Sequence, residues 1–212
     1  MPPIIYEYPS WSMEKLLAMR GQRVHLLLDD PYRFVTVFAI PNKKNKNKSE
    51  HKNEDYVLYC MDSPCYHAAG PLGDGNIIEI EELGVTCIEC PWHRYLVNIK
   101  NGEEIIMEED DNNEVRGPAP IASVSGLPQR DTTLKPKVGR KNCQRTHRVE
   151  LIPDDRLSEK DKQENREVYI LKITVEEEGV QRQRPMRSDG CATSLKNGGL
   201  CMQIQDIKAK GL

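Results

Sequence analysis

Two short motifs constrain this chain more than anything else in it: Cys65-Tyr66-His67 and Cys90-Pro91-Trp92-His93, with residues 68–89 between them. Each pairs a thiol with an imidazole two or three positions later. Each follows a β-prone run, Tyr56–Met61 for the first and Val85–Ile88 for the second. Pro64 enters the first loop and Gly70 lets it turn, while Pro91 stiffens the second. A fold that uses both motifs must bring the ends of two separate strands to one place. Short strands joined by tight loops do this, whereas long helices would carry the motifs apart.

The rest of the chain agrees. Val24–Leu28, Phe34–Ile40, Tyr56–Met61, Ile77–Ile80, Val85–Ile88, Tyr95–Ile99, Ile105–Met107, Arg148–Ile152 and Val168–Val175 are short runs rich in Val, Ile, Leu and Tyr. Asp30-Pro31, Pro41-Asn42, Gly73-Asp74-Gly75 and Asn101-Gly102 separate several of them as turns. Asn101-Gly102 gives the clearest hairpin signal. One helix is expected over Met13–Arg20, capped by Ser12 with Gly21 beyond its end. The fold class is mostly β. Residues 1–21 form an N-terminal extension with the short helix, 22–178 the domain, and 179–212 a loosely attached tail. Asn42–Lys52, Asp110–Arg140 and Pro153–Glu167 are expected as loops or a hairpin insertion.

Composition excludes several function classes. With 30 Lys+Arg against 33 Asp+Glu the net charge is -3, so bulk charge gives nucleic-acid binding no support. The average conceals a division. From Glu54 to Glu114 there are fifteen acidic residues opposed only by Arg94 and Lys100, so this region carries -13 and the remainder +10. Either the acidic surface steers a basic partner or it is a set of solvated loops. The opening Met1-Pro2-Pro3-Ile4-Ile5-Tyr6-Glu7 has neither the basic start nor the apolar run of a secretory leader, and no apolar stretch approaches a membrane span. The expectation is a soluble intracellular protein, cytoplasmic, in a reducing compartment.

Seven cysteines are an odd number for a disulfide framework, and the two Cys/His motifs suggest another use. A binuclear iron–sulfur centre with mixed ligation needs two soft thiolates and two neutral imidazoles, delivered by two loops that clamp it from opposite sides. The residues that carry this pattern run from Tyr56 through Cys65-Tyr66-His67-Ala68-Ala69-Gly70-Pro71-Leu72 and Cys87-Ile88-Glu89-Cys90-Pro91-Trp92-His93 to Asn101-Gly102-Glu103. Here the chain resembles the Rieske [2Fe–2S] family, and within it the soluble Rieske-type ferredoxins. Arg140–Val149 is similar to that group's strand leading back to the sheet. The resemblance implies an antiparallel β barrel or sandwich with a cluster-binding subdomain, about residues 60–104, inserted between strands of the base, and one [2Fe–2S] cluster per chain, with Cys65 and Cys90 on one iron and His67 and His93 on the other.

Departures from the family refine the expectation. Membrane-bound respiratory members carry an additional Cys in each loop, bridged across the cluster; here those positions are Ala and Trp92. The Ser and Tyr that donate hydrogen bonds to the cluster in those members are replaced by Tyr95 and Val97. Fewer donors to sulfur stabilise the reduced state less, which places the potential near the low end of the family's span of about -150 to +300 mV. The chain reads as an electron carrier rather than an enzyme with its own substrate, serving a reductase or oxygenase partner. A ring-hydroxylating oxygenase needs a second iron site, and His25, His51 and His147 show no paired spacing for one. A Rieske component of a multi-chain oxygenase or reductase stays open. So does a zinc-stabilised interaction module built on Cys60, Cys65, Cys87 and Cys90, although it leaves His67 and His93 idle. Cys60 and Cys87 are otherwise expected as buried strand thiols, and His147 as structural.

Overall fold

The computed structural model describes residues 3–29, 32–42, 55–109, 134–154, 168–175, 188–189 and 191. Two antiparallel sheets account for most of them. The base sheet holds six strands: β1 (Ile4–Trp11), β2 (Arg23–Asp29), β3 (Tyr32–Pro41), β4 (Tyr56–Asp62), β10 (Thr146–Pro153) and β11 (Tyr169–Val175). Their spatial order is β1-β11-β10-β4-β3-β2. The second sheet runs β5 (Asn76–Ile80), β6 (Val85–Glu89), β7 (Leu96–Asn98), β8 (Glu104–Glu109) and β9 (Leu134–Val138) in simple sequence order. It is inserted between β4 and β10, the mostly β arrangement with an inserted subdomain that the sequence suggests. Among the described residues no helix is long and apolar enough to cross a membrane.

The period of two in β2 and β3 builds both faces at once. Val24, Leu26 and Leu28, with Val35, Val37 and Ala39, point into the base core beside Leu171, Ile173 and Val175 of β11. The helix α1 (Met13–Ala18) adds Met13 and Leu16 to that core. Its Ser12 cap accepts a hydrogen bond from the Lys15 amide at 3.1 Å, as expected. The opposite face of β2 and β3 carries Arg23, His25, Thr36 and Phe38, and it meets the inserted subdomain. Arg23 Nη1 donates to the carbonyls of Gly73 and Gly75 at 2.8 and 2.7 Å. His25 Nε2 lies 3.0 Å from Asp74, and His25 Nδ1 lies 2.8 Å from the Thr36 hydroxyl. Gly73 has to be glycine, since a Cβ there would overlap Thr36 Oγ1. Burial keeps the His25 imidazole below its ordinary range, against the pull of Asp74.

Several sequence expectations are changed. The first 21 residues hold more than a short helix: Ile4–Trp11 is an edge strand paired antiparallel with β11 from Ile4↔Val175 to Trp11↔Tyr169. Leu134–Val138 is a strand, not loop; its register sets Pro136 opposite Met107 at the edge of the sheet, where a residue without an N–H is tolerated. The inserted sheet therefore runs on to Val138, past residue 104. Residues 179–212 are also not wholly loose: Ser188 Oγ accepts from the Arg145 amide and Asp189 pairs with the Arg145 guanidinium, just before β10. Residues 43–54, 110–133 and 155–167, where other loops were expected, lie outside the described residues, as does the remaining tail apart from Cys191.

A buried charged cluster joins these parts. The Asp62 carboxylate, at the end of β4, takes Arg33 at 2.6 Å and His147 at 2.9 Å. Arg33 also pairs with Asp189 at 3.0 Å, and Arg145 grips both oxygens of Asp189 at 2.7 and 2.6 Å. Burial alone would push the Asp62 carboxyl up, but His147 and Arg33 outweigh it and hold it below the usual carboxylate range. Its contribution to stability is therefore present above about pH 4 and lost as pH falls through the lowered native value. Replacing Asp62 by Ala strands two buried basic groups and should cost on the order of 3–5 kcal/mol in urea unfolding at neutral pH. The same variant should show a flatter loss of stability between pH 4 and 2 than the parent protein.

Candidate metal centre

The two motif loops share one backbone frame. In the first, the Cys65 amide donates to the Gly70 carbonyl and the Ala69 amide donates back to the Cys65 carbonyl, both at 2.8 Å. In the second, Cys90 N–H donates to Tyr95 O at 2.8 Å and Arg94 N–H to Cys90 O at 2.9 Å. Both frames thus run from the cysteine to the fifth residue on, with the return bond from the fourth. That fourth residue is left-handed in each loop, Ala69 at φ 55° and Arg94 at φ 59°. The different Cys/His spacings suggest two unlike turns; the structure shows one turn used twice, with the histidine one step later in the second.

This frame sorts the four side chains by depth. Cys65 and Cys90 are both buried, and their thiols are in hydrogen-bonding contact. His67 and His93 are exposed at the tips, ring centroids 4.9 Å apart and nearly perpendicular. Tyr95 stacks on His67 at 4.3 Å and meets Tyr66 edge-on at 5.9 Å. The sulfurs are aimed at backbone donors: the His67 amide serves Cys65, and the amides of Trp92 and His93 serve Cys90. The contact with Cys65, together with those amides, pulls the Cys90 thiol down, while Cys65 is pushed up by Cys90 and by burial.

The donor set suits a metal group that takes sulfur on one side and nitrogen on the other. Two buried thiols in contact cannot both ionise unaided, because adjacent thiolates repel, and a cation between them would let both lose their protons. The packing of the other cysteines separates this set from a four-thiol site. Cys60 lies in the base core, Cys87 in a cluster with Ile80 and Ile105, and Cys65 and Cys90 in a third cluster beneath the loops. Burial pushes Cys60 well up and Cys87 to about 11, as expected of inert strand thiols rather than ligands. Cys60, Cys65, Cys87 and Cys90 do not share one site.

The packing around the loops is partly beyond local sequence reading. Trp92 is 46% exposed and lies across Gly70, where a Cβ would come to 3.1 Å from its ring and 3.2 Å from Cys90 Sγ. Tyr66, between Cys65 and His67 in sequence, donates its hydroxyl at 2.6 Å to the buried Glu104 carboxylate. Glu104 in turn accepts from the Arg140 amide at 3.2 Å. Burial, and then Glu104, raises the Tyr66 phenol. Cys143 is buried in the same cluster as the loops. Cys191 reaches the Ala69 amide. His147 is structural, as expected, and His25 serves the contact between the sheets; His51 and Cys201 lie outside the described residues. Replacing Tyr66 by Phe leaves a buried carboxylate short of a donor. It should lower stability by about 1–3 kcal/mol in chemical denaturation with little change in the denaturant slope.

Residues 39–134 match the family model described as soluble Rieske-type ferredoxin. A human Rieske domain-containing protein is 43% identical over 53 residues, which are 25% of this chain and 31% of that protein. The match therefore spans about a third of that relative's length. Residues 39–134 are thus similar to the soluble Rieske-type ferredoxins, and a domain of that kind supports an iron–sulfur, electron-carrying role.

Proposed function

We propose that Cys65 and Cys90 hold one iron, and His67 and His93 the other, of a single [2Fe–2S] cluster, and that the chain carries one electron at a time between redox partners. The observation that carries this reading is the sorting by depth: two buried thiols in contact below two exposed imidazoles, on loops with the same backbone frame. When bound, the cluster supplies a one-electron couple that no side chain in this region offers.

The residues around it do the rest. The amides of His67, Trp92 and His93 donate to the two sulfurs and favour their charged form. The Tyr95 ring fixes the plane of His67, and Trp92 covers the side of Gly70. His67, Ala68, Trp92 and His93 form the exposed tip through which an electron enters or leaves. Val97 has no hydroxyl to donate to a sulfur, the Tyr95 ring is stacked on His67, and these features with the acidic balance of residues 54–114 lower the potential. The same charge suits a basic face on the partner, a reductase or an oxygenase component. The cluster-bearing unit is the segment between β4 and β10, with the base sheet of residues 22–178 and β1 as its support. The protein works in a reducing compartment of the cell.

Anaerobic purification followed by metal and sulfide quantitation tests the reading. Two irons and two acid-labile sulfides per chain, with a paramagnetic signal of the mixed-ligand type on reduction, are expected. Zinc alone, or iron without sulfide, would remove the basis for it. Substituting His67 or His93 by Ala should abolish that signal while far-ultraviolet circular dichroism keeps its β signature. A retained signal would show that the ligands lie elsewhere.

A further inference from the structure

We infer that Gln144 is a positioning residue that sets the first ligand loop against the second and so fixes the distance between the two sulfurs. The inference rests on the ligand assignment proposed above and goes beyond it to a residue on a different strand connection. The Gln144 side chain is fully buried. Its Nε2 donates to the carbonyls of Asp62 and Pro64 at 2.7 and 2.8 Å, and its Oε1 accepts from the Tyr66 amide at 2.9 Å. One side-chain amide therefore binds residues 62, 64 and 66, alternate positions on both sides of Cys65. The orientation of the amide is decided by its partners: two carbonyls require the NH2 end, and an N–H requires the oxygen.

The backbone of the same residue holds the other loop. Gln144 N–H donates to Gly102 O at 3.1 Å. The Gln144 carbonyl packs so closely on Gly102, at φ 70°, that a Cβ there would overlap it. Gly102 closes the turn after β7, the strand that leaves the Cys90 loop, and its amide bonds back to Asn98 O at 2.8 Å. Residue 144 is thus the place where both loops are tied to one rigid point. A glutamine suits it because only a neutral primary amide presents two donors and an acceptor in this geometry. A carboxylate would set oxygen against two carbonyls, and an apolar side chain would leave all three backbone groups buried and unpaired.

The test uses the full chain as isolated with its cluster. Q144M keeps the volume and removes the hydrogen bonds; Q144N keeps the amide but withdraws it by one methylene. The g-values of the reduced cluster should move in both, and iron release to a chelator should be at least about tenfold faster in Q144M. Hydrogen exchange followed by mass spectrometry should show the segment 62–70 losing protection while 76–80 keeps it. A structural role without positioning would lower the unfolding midpoint and leave the g-values where they were, and that outcome would overturn the inference. If Q144M does not fold, the Q144N spectrum decides alone, and one superimposable on the parent would be equally fatal. Should the parent chain carry no iron and sulfide, the ligand assignment fails. The exchange comparison still decides whether Gln144 braces residues 62–66.

Discussion

Asp62 stands where β4 becomes the first ligand loop, three residues before Cys65. Its carboxylate binds Arg33 of β3 and His147 of β10, its carbonyl accepts from Gln144, and its amide donates to Arg145 O at 3.0 Å. Through Arg33 and Arg145 it also secures Asp189 from far down the chain. A buried charged group of this kind adds little net stability over a well-packed apolar one, because desolvation cancels much of the attraction. Its effect is on specificity. An apolar cluster tolerates sliding, whereas each Asp62 carboxylate oxygen has its own side-chain partner, Arg33 or His147, so β3, β4, β10 and the loop have a single relative arrangement. The ligand loop starts from a fixed point because that carboxylate does.

From that fixed point the chemistry follows a gradient of burial. The sulfurs lie within a cluster that includes Phe38, Met61, Leu72, Ile88 and Val97, and the imidazoles lie outside it. Charge placed among those apolar neighbours is costly unless it is neutralised or hydrogen-bonded. The amides of the shared loop frame are directed at the sulfurs, where the need is greatest. The repeated frame makes the two cysteines nearly equivalent, and the extra residue before His93 breaks that equivalence only at the tip.

Much of this was legible in the sequence where the pattern was local. The alternation in Val24–Leu28 and Phe34–Ile40 announced β2 and β3, Ser12 announced its helix, and the spacing of Cys and His with Pro and Gly announced two loops. Two strands were missed for physical reasons. Ile4, Tyr6 and Tyr8 alternate properly, but an edge strand is only half-buried and its partner lies far along the chain. Leu134–Val138 carries Pro136 and two lysines, which read as loop unless the edge position is known. Gln144, Glu104, Arg33 and Asp189 left no local signal at all. Their partners lie tens of residues away or more, and in sequence each looks like an ordinary polar residue of a solvated segment.

The pairing of β1 with β11 has a consequence in time. The first strand of the base sheet is made early, and its neighbour only after the whole inserted sheet has been synthesised. At about 5–20 residues per second, the interval from Trp11 to Val175 is roughly ten to thirty seconds. For most of it the base sheet lacks β10 and β11, and Asp62 lacks Gln144 and His147 until residues 144–147 are made. The ligand loops thus exist as chain before the strands that lock them arrive. That interval is many times longer than a loop takes to close. The two ligand loops can therefore close on one another before the strands that lock them are complete.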